Sequence, residues 1–209
     1  MTQSLWPQHE DTQHLLASIR DGDEQAMEHL LARYRDSLHR LVGGRIDPKI
    51  LRRTDVSDVV QEVLVEASRR IPEYVANPIL PFHLWIRQIA KDRIIDSYRR
   101  HRGSAKRSLD REQPLDVPQK YVDQSSLDIA AQLKDPELTP AAMLVQKELA
   151  AHVQARMELL EERDREILLM RHFEQLGNQE IALALGISEP AASMRYLRAL
   201  KKLRALIEQ

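Results

Sequence analysis

Apolar residues recur along this chain at steps of three and four, the spacing that lines one face of an α-helix. After Asp23 the stripe reads Met27, Leu30, Leu31, Tyr34, Leu38 and Leu41, until Gly43-Gly44 breaks it. A short helix over 12–20, ending at Asp21-Gly22, precedes it, and residues 1–11 read as a loose tail with an isolated Trp6-Pro7. The segment 46–53, with Pro48, fits neither helix nor loop cleanly. Thr54 or Asp55 then opens a helix with Val59, Val60, Val63, Leu64, Ala67 and Ile71 on its inner side. That helix runs to Tyr74, and ANPILPFHL beyond it, with Pro78 and Pro81, predicts a stiff apolar loop. It feeds a helix with Trp85, Ile86, Ile89, Ala90, Ile94 and Tyr98 at apolar positions.

The pattern lapses over 103–139, where prolines and mixed charges replace any period except for a short helical patch at 127–133. At roughly three dozen residues this stretch is too long for a loop inside one compact domain, so it predicts a linker. Thr139-Pro140, a cap followed by a proline in the first helical position, restarts the pattern. Met143, Leu144, Leu149, Val153 and Met157 form the next stripe, and a further helix covers 164–173.

The last segment predicts a helix-turn-helix. Ile181, Ala182 and Leu185 make one apolar face, and Gly186 ends that helix where a left-handed residue carries no steric penalty. Ile187 fills the angle between helices, Ser188 caps the next, and Pro190 sits in its first turn. The second helix turns Ala192, Tyr196, Ala199, Leu200 and Leu203 towards the core and carries Arg195, Arg198, Lys201, Lys202 and Arg204 against one acid, Glu189. A basic second helix is what enters the major groove of DNA.

With six glycines in 209 residues and few β-type alternations, the fold class is all-α. Two small helical domains are expected, over 12–102 and 140–209, joined by the linker 103–139. No cysteine is present, which excludes disulfides, thiolate metal sites and thiol catalysis. No run is long enough to span a membrane and no apolar leader opens the chain, so a cytoplasmic protein is expected. No metal or cofactor motif and no catalytic constellation is present, so an enzyme is not expected.

Net charge is −1, yet the charges are segregated. From Asp55 to Glu66 there is no Lys or Arg, and Asp55, Asp58, Gln61 and Glu62 share the outer side of one helix. The helix dipole accounts for acids in a first turn but for nothing beyond it. In the following helix Arg87, Lys91, Arg93, Arg99, Arg100 and Arg102 outweigh Asp92 and Asp96. Aromatic residues beside a basic groove suit single-stranded DNA, although Trp85 lies in an apolar stripe and reads first as core.

Three blocks, GDEQAMEHLLARY, DVSDVVQEVLVEA and FHLWIRQIAKDRIIDSYRRHR, resemble the first conserved domain of bacterial sigma factors. RDREILLMRHFEQLGNQEIALALGIS with RYLRALKKLR resembles their second. With only these two domains the chain is similar to the extracytoplasmic-function group. The resemblance implies a protein that binds core RNA polymerase and directs it to promoter DNA. Asp58, Gln61 and Glu62, with Asp55 nearby, match the positions that dock on the coiled coil of the largest polymerase subunit, and the second domain would meet the flap. The loop 72–82 and the basic helix would melt and hold the minus-ten element, with Arg87, Lys91, Asp92, Arg99 and Arg100 on the DNA side. The last helix would read the minus-thirty-five element through Arg195 and Arg198, with Ser188, Glu189, Ala191, Ser193 and Lys202 beside them. An anti-sigma factor is the further partner the family implies; no small-molecule substrate is.

There are departures. Asp92 stands where the family often has Asn, and a carboxylate repels phosphate and can only accept hydrogen bonds. Ala191, Ala192 and Ser193 replace a Thr, a β-branched residue and a Lys. Two other readings fit parts of the chain: a dimeric helix-turn-helix regulator acting on duplex DNA without polymerase, and a helical adaptor binding only protein. Neither gives both the acidic helix and the basic helices a role.

Overall fold

The computed structural model describes residues 5–46, 55–108 and 140–208. Its elements are helical: α1 (His9–Arg20), α2 (Glu24–Gly43), α3 (Val56–Ala76), α4 (Phe82–Ser108), α5 (Pro140–Glu158), α6 (Glu162–Leu168), α7 (Asn178–Leu185) and α8 (Glu189–Ile207). They fall into two compact units, one holding Trp6 and α1–α4, the other α5–α8. The expected irregular segment 46–53, apart from Ile46, and the expected patch at 127–133 lie outside the described residues, as does the Thr139 cap.

In the first unit, α1 ends at Gly22 (φ 92°), where Asp23 N–H reaches back to Ser18 O at 3.0 Å and Gly22 N–H to Ile19 O at 3.1 Å. This closing motif needs a left-handed residue, which glycine supplies without strain. Asp23 then caps α2, accepting from Gln25 N–H at 2.9 Å and Ala26 N–H at 3.2 Å. The two turns fold α2 back on α1, so that Thr12 Oγ1 and the Tyr34 hydroxyl meet at 3.2 Å in the interior. The α2 stripe is buried at Leu30, Tyr34, Leu38 and Leu41, and all six positions expected on the inner side of α3 are buried.

The centre of this unit is an aromatic stack. Phe82 lies edge-on to Tyr34 (4.9 Å between centroids) and to Tyr74 (5.4 Å), while Trp85 tilts against Tyr74 (4.7 Å) and Phe82 (5.2 Å). Such pairs contribute about 0.5–1.5 kcal/mol each beyond the area they bury. Trp85 is half-buried in this stack, which accounts for it as core.

Three expectations need correction. The tail is shorter than 1–11, because α1 begins at His9 and Trp6 is only 7% exposed, its ring 6.1 Å from Tyr34 and 6.0 Å from His83. The loop 72–82 that the resemblance implies shrinks, because α3 continues through Pro72, as its apolar pattern predicts, to Ala76. A proline inside a helix costs about 3 kcal/mol, but Ile71, Tyr74 and Val75 around it are buried, each contributing on the order of 1.5–3 kcal/mol. The Tyr74 hydroxyl then donates to Leu80 O at 2.8 Å and ties the shortened loop down. Finally, α4 runs to Ser108, so the first residues of the expected linker are helical.

In the second unit, Glu161 precedes α6, which passes into a π-helical turn over Leu169–Phe173. Gln175 leaves that turn with φ 57°, an uncommon conformation for a residue with a side chain. Arg171 fixes it by donating to Leu176 O at 3.0 Å, with Leu176 itself buried. Leu149, expected on the inner stripe of α5, is exposed instead. Ala182 and Ala199 are buried, and the small side chain of Ala182 lets α7 pack closely on α8 within the unit.

Candidate nucleic-acid interface

The outer side of α3 is built by its own cap. Asp55 accepts from Ser57 N–H at 2.8 Å, so its carboxylate is engaged in starting the helix. Asp58, Gln61 and Glu62 follow at i, i+3 and i+4 and form one surface patch. Two carboxylates four residues apart destabilise a helix by a few tenths of a kcal/mol. Glu62 is partly relieved: both its oxygens accept from Arg100, Oε1 from Nη1 and Oε2 from Nη2, each at 2.8 Å. Glu62 holds the Arg100 guanidinium above its ordinary pKa. This fork joins a residue expected to meet polymerase to one expected to meet DNA.

The fork crosses a groove of about 500 Å³ between α3 and α4. Arg69, Arg93, Arg99 and Arg100 line it against Glu62, Glu66 and Asp96. Asp96 is shared, 3.2 Å from Arg93 and 3.8 Å from Arg99, and Glu66 pairs with Arg70 at 2.5 Å. Lys91 and Asp92 are half-buried, and Arg99 is exposed. Arg87 is different. It is 2% exposed, so it belongs to the interior and not to the DNA side. The sequence held the signal: Arg87 is three residues from Ala90 and seven from Ile94, on the buried stripe.

In the second unit the helix-turn-helix forms as its turn residues require. Gly186 (φ 63°) donates to Leu183 O at 3.3 Å, and Ile187 N–H returns to Ala182 O at 3.0 Å. Ser188 Oγ accepts from Ala191 N–H at 3.4 Å, with Pro190 in the first turn. At the start of α7, Gly177 N–H donates to Glu180 at 2.7 Å. Asn178 Nδ2 donates to Ser193 Oγ at 3.1 Å, so Ser193 braces the helix pair.

Glu189, Ala191 and Arg198 are exposed, while Arg195 is half-buried with no hydrogen bond at Nε. Lys202 Nζ binds Asp164 at 2.5 Å. Asp164 is buried, so this lysine stabilises α6 and its charge is already engaged. The expected core position Leu200 is 40% exposed. Leu200 joins Met194 and Leu197, both more than half exposed, on the outer side of α8; the inner side is set by Ala192 and Ala199. Sequence reading missed this because leucine at helical spacing reads as core whichever side it occupies.

Among the described residues no group of three or more His, Asp and Glu is placed to hold a metal ion, and no helix is long and apolar enough to cross a membrane.

Residues 30–104 match the family model for Sigma-70 region 2, and 151–203 match that for Sigma-70 region 4. The ECF RNA polymerase sigma factor ShbA of Streptomyces griseus is 30% identical over 90% of this chain and 91% of its own length. The chain belongs to the ECF RNA polymerase sigma factors. It binds RNA polymerase and directs promoter-specific transcription. This sigma factor is also 26% identical to the RNA polymerase sigma factor CnrH of Cupriavidus metallidurans, over 95% of this chain and 96% of that one. A solved structure of CnrH in complex with the cytosolic domain of CnrY has the same fold, with a TM-score of 0.57 at 23% identity, covering 95% of this chain and 97% of that chain.

Proposed function

We propose that the two units divide the work. In the first, Asp58, Gln61 and Glu62 dock on the coiled coil of the largest polymerase subunit, with Asp55 starting the helix that presents them. Lys91, Asp92, Arg99 and Arg100 hold the melted minus-ten element beside that docking face. In the second, α8 reads the minus-thirty-five element, with Arg195 and Arg198 as its principal contacts and Ser188, Glu189 and Ala191 at its leading end. Ser193 and Lys202 act through packing, and Arg87 through the core. The flap of polymerase is the second unit's protein partner. The protein acts as a specificity subunit, not an enzyme, and works in the cytoplasm alongside polymerase. An anti-sigma factor is its regulatory partner, and the CnrH structure likewise holds a protein partner, the cytosolic domain of CnrY.

The observation that carries this reading is an acidic surface on α3, free of Lys and Arg from Asp55 to Glu66, in the same chain as a basic helix-turn-helix. Reconstituted transcription tests it. Core polymerase with this protein and a library of upstream DNA should start transcripts at a defined set of sites only when the chain is present. Silence despite binding to core would remove the promoter roles, and absence of binding would remove the docking role as well.

A further inference from the structure

The fork between Glu62 and Arg100 joins two surfaces that the function would use separately. It is bidentate, with both contacts at 2.8 Å, yet its side chains are 37% and 56% exposed. An ion pair so exposed is held only weakly against solvent, so a competing cation can displace it. Arg100 has no spare acid to turn to. The acids acting on it are Glu62 and Asp96, and Asp96 already faces Arg93 and Arg99. Across the groove, Glu66 is occupied by Arg70. A guanidinium released from Glu62 faces solvent and is available to an anion from outside the chain. Its planar fork matches a phosphate as well as a carboxylate.

We propose that Glu62 and Arg100 form an exchangeable pair that couples docking to DNA holding. In the free chain the carboxylate occupies the guanidinium. When a basic side chain of the docked polymerase takes Glu62, Arg100 passes to a phosphate of the single-stranded promoter. The acidic face thus serves as docking surface and as brake on premature DNA binding. This rests on the docking role proposed above.

The test is fluorescence anisotropy of the full chain, without polymerase, on a labelled single-stranded DNA oligonucleotide at several salt concentrations. Wild type is compared with Glu62→Gln, Arg100→Gln, the double variant, and Glu28→Gln, which removes an exposed acid from α2. Glu62→Gln should bind about fivefold more tightly near 0.1 M salt, with a salt slope steeper by about 0.7, the change for one added phosphate contact on a single strand. Arg100→Gln in the double variant should cancel the gain, and Glu28→Gln should not reproduce it. Circular dichroism of each variant confirms an intact helical fold. A gain that survives loss of Arg100, an equal gain from Glu28→Gln, or no gain at all would overturn the exchange. The docking role is judged separately, by co-purification of Asp58→Lys/Glu62→Lys with core polymerase. Loss of co-purification without a gain in Glu62→Gln sinks the exchange alone; retained co-purification sinks docking.

Discussion

The two units hold their charges in opposite ways. Along α3 and α4, arginines and carboxylates satisfy one another: Arg100 with Glu62, Arg70 with Glu66, and Arg93 and Arg99 with Asp96. On α8 the exposed side carries Arg198 and Lys201 among Met194 and Leu197, with Glu189 the only acid before the last turn. A self-paired surface spends little of its field on solvent and opens only to a partner that offers a better counter-charge. An open basic helix is ready for the phosphate backbone, where counterion release favours it at once. A net charge near zero thus conceals one surface whose charges are paired and another whose charges are open to solvent.

The largest effect expected is at the locked surface. Asp58→Lys with Glu62→Lys reverses the patch and leaves Arg100 facing a like charge. Co-purification with core polymerase should be lost while circular dichroism shows unchanged helicity, because both residues lie on the outer side of α3. Unchanged co-purification would end the comparison by showing that the acidic face has no partner there.

The next effect concerns what holds the first surface in place. Phe82 is 1% exposed and touches Tyr34, Tyr74 and Trp85. Phe82→Ala should destabilise the first unit by about 3–5 kcal/mol, the usual range for emptying an aromatic site. In urea unfolding monitored by tryptophan fluorescence the transition should move to lower denaturant, since Trp6 and Trp85 both lie in that unit. A transition unmoved would mean that the stack is not the core of the first unit.

How much of this was legible in the sequence depends on what each signal measures. The α3 stripe was read residue by residue, because six apolar side chains at helical spacing leave one side to bury. The turn at Gly186-Ile187-Ser188 was equally plain, since each position demands a particular backbone chemistry. Trp6 was not legible: an aromatic residue ahead of the first stripe has no period, and only tertiary packing against Tyr34 and His83 gives it a place. The end of α3 is legible only to within a turn for a related reason, since burial of Tyr74 and Val75 carries the helix on to Ala76. Among the candidate site residues, charge is legible in the sequence, but which charges are already engaged is not. Arg87 faces inward, Lys202 is held by Asp164, and Ser193 by Asn178. The place of Arg87 follows from its spacing to Ala90 and Ile94, but the pairings of Lys202 and Ser193 join residues on different helices, which spacing along one helix cannot reveal.

A smaller change should sharpen the open side of the comparison. Arg195→Ala should weaken upstream promoter binding by the polymerase complex by about 1–3 kcal/mol if the side chain reads a base edge. Footprinting should then show reduced protection at the upstream element alone. If instead the loss is uniform across promoter sequences and the salt slope falls, Arg195 contacts phosphate. Protection unaffected at that element would leave Arg198 to carry the contact.

The smallest effect ties the recognition helix to pH. His172, in the π-helical turn, lies 3.0 Å from the Tyr196 hydroxyl on α8. Desolvation, aided by neighbouring Arg171, lowers its pKa from the ordinary 6.5. The unfolded chain therefore takes up a proton at a higher pH than the folded one, and stability rises with pH wherever the unfolded state binds more protons. The stabilising neutral form is fully retained above pH 6.5, and its contribution falls as pH drops from 6.5 through the lower folded value. Thermal melts of the wild type should show the second unit weakening across that window. In His172→Gln, which keeps a hydrogen-bonding side chain beside Tyr196 but cannot titrate, that part of the pH dependence should disappear. An identical pH profile in the variant would show that His172 is not the origin of the acid sensitivity.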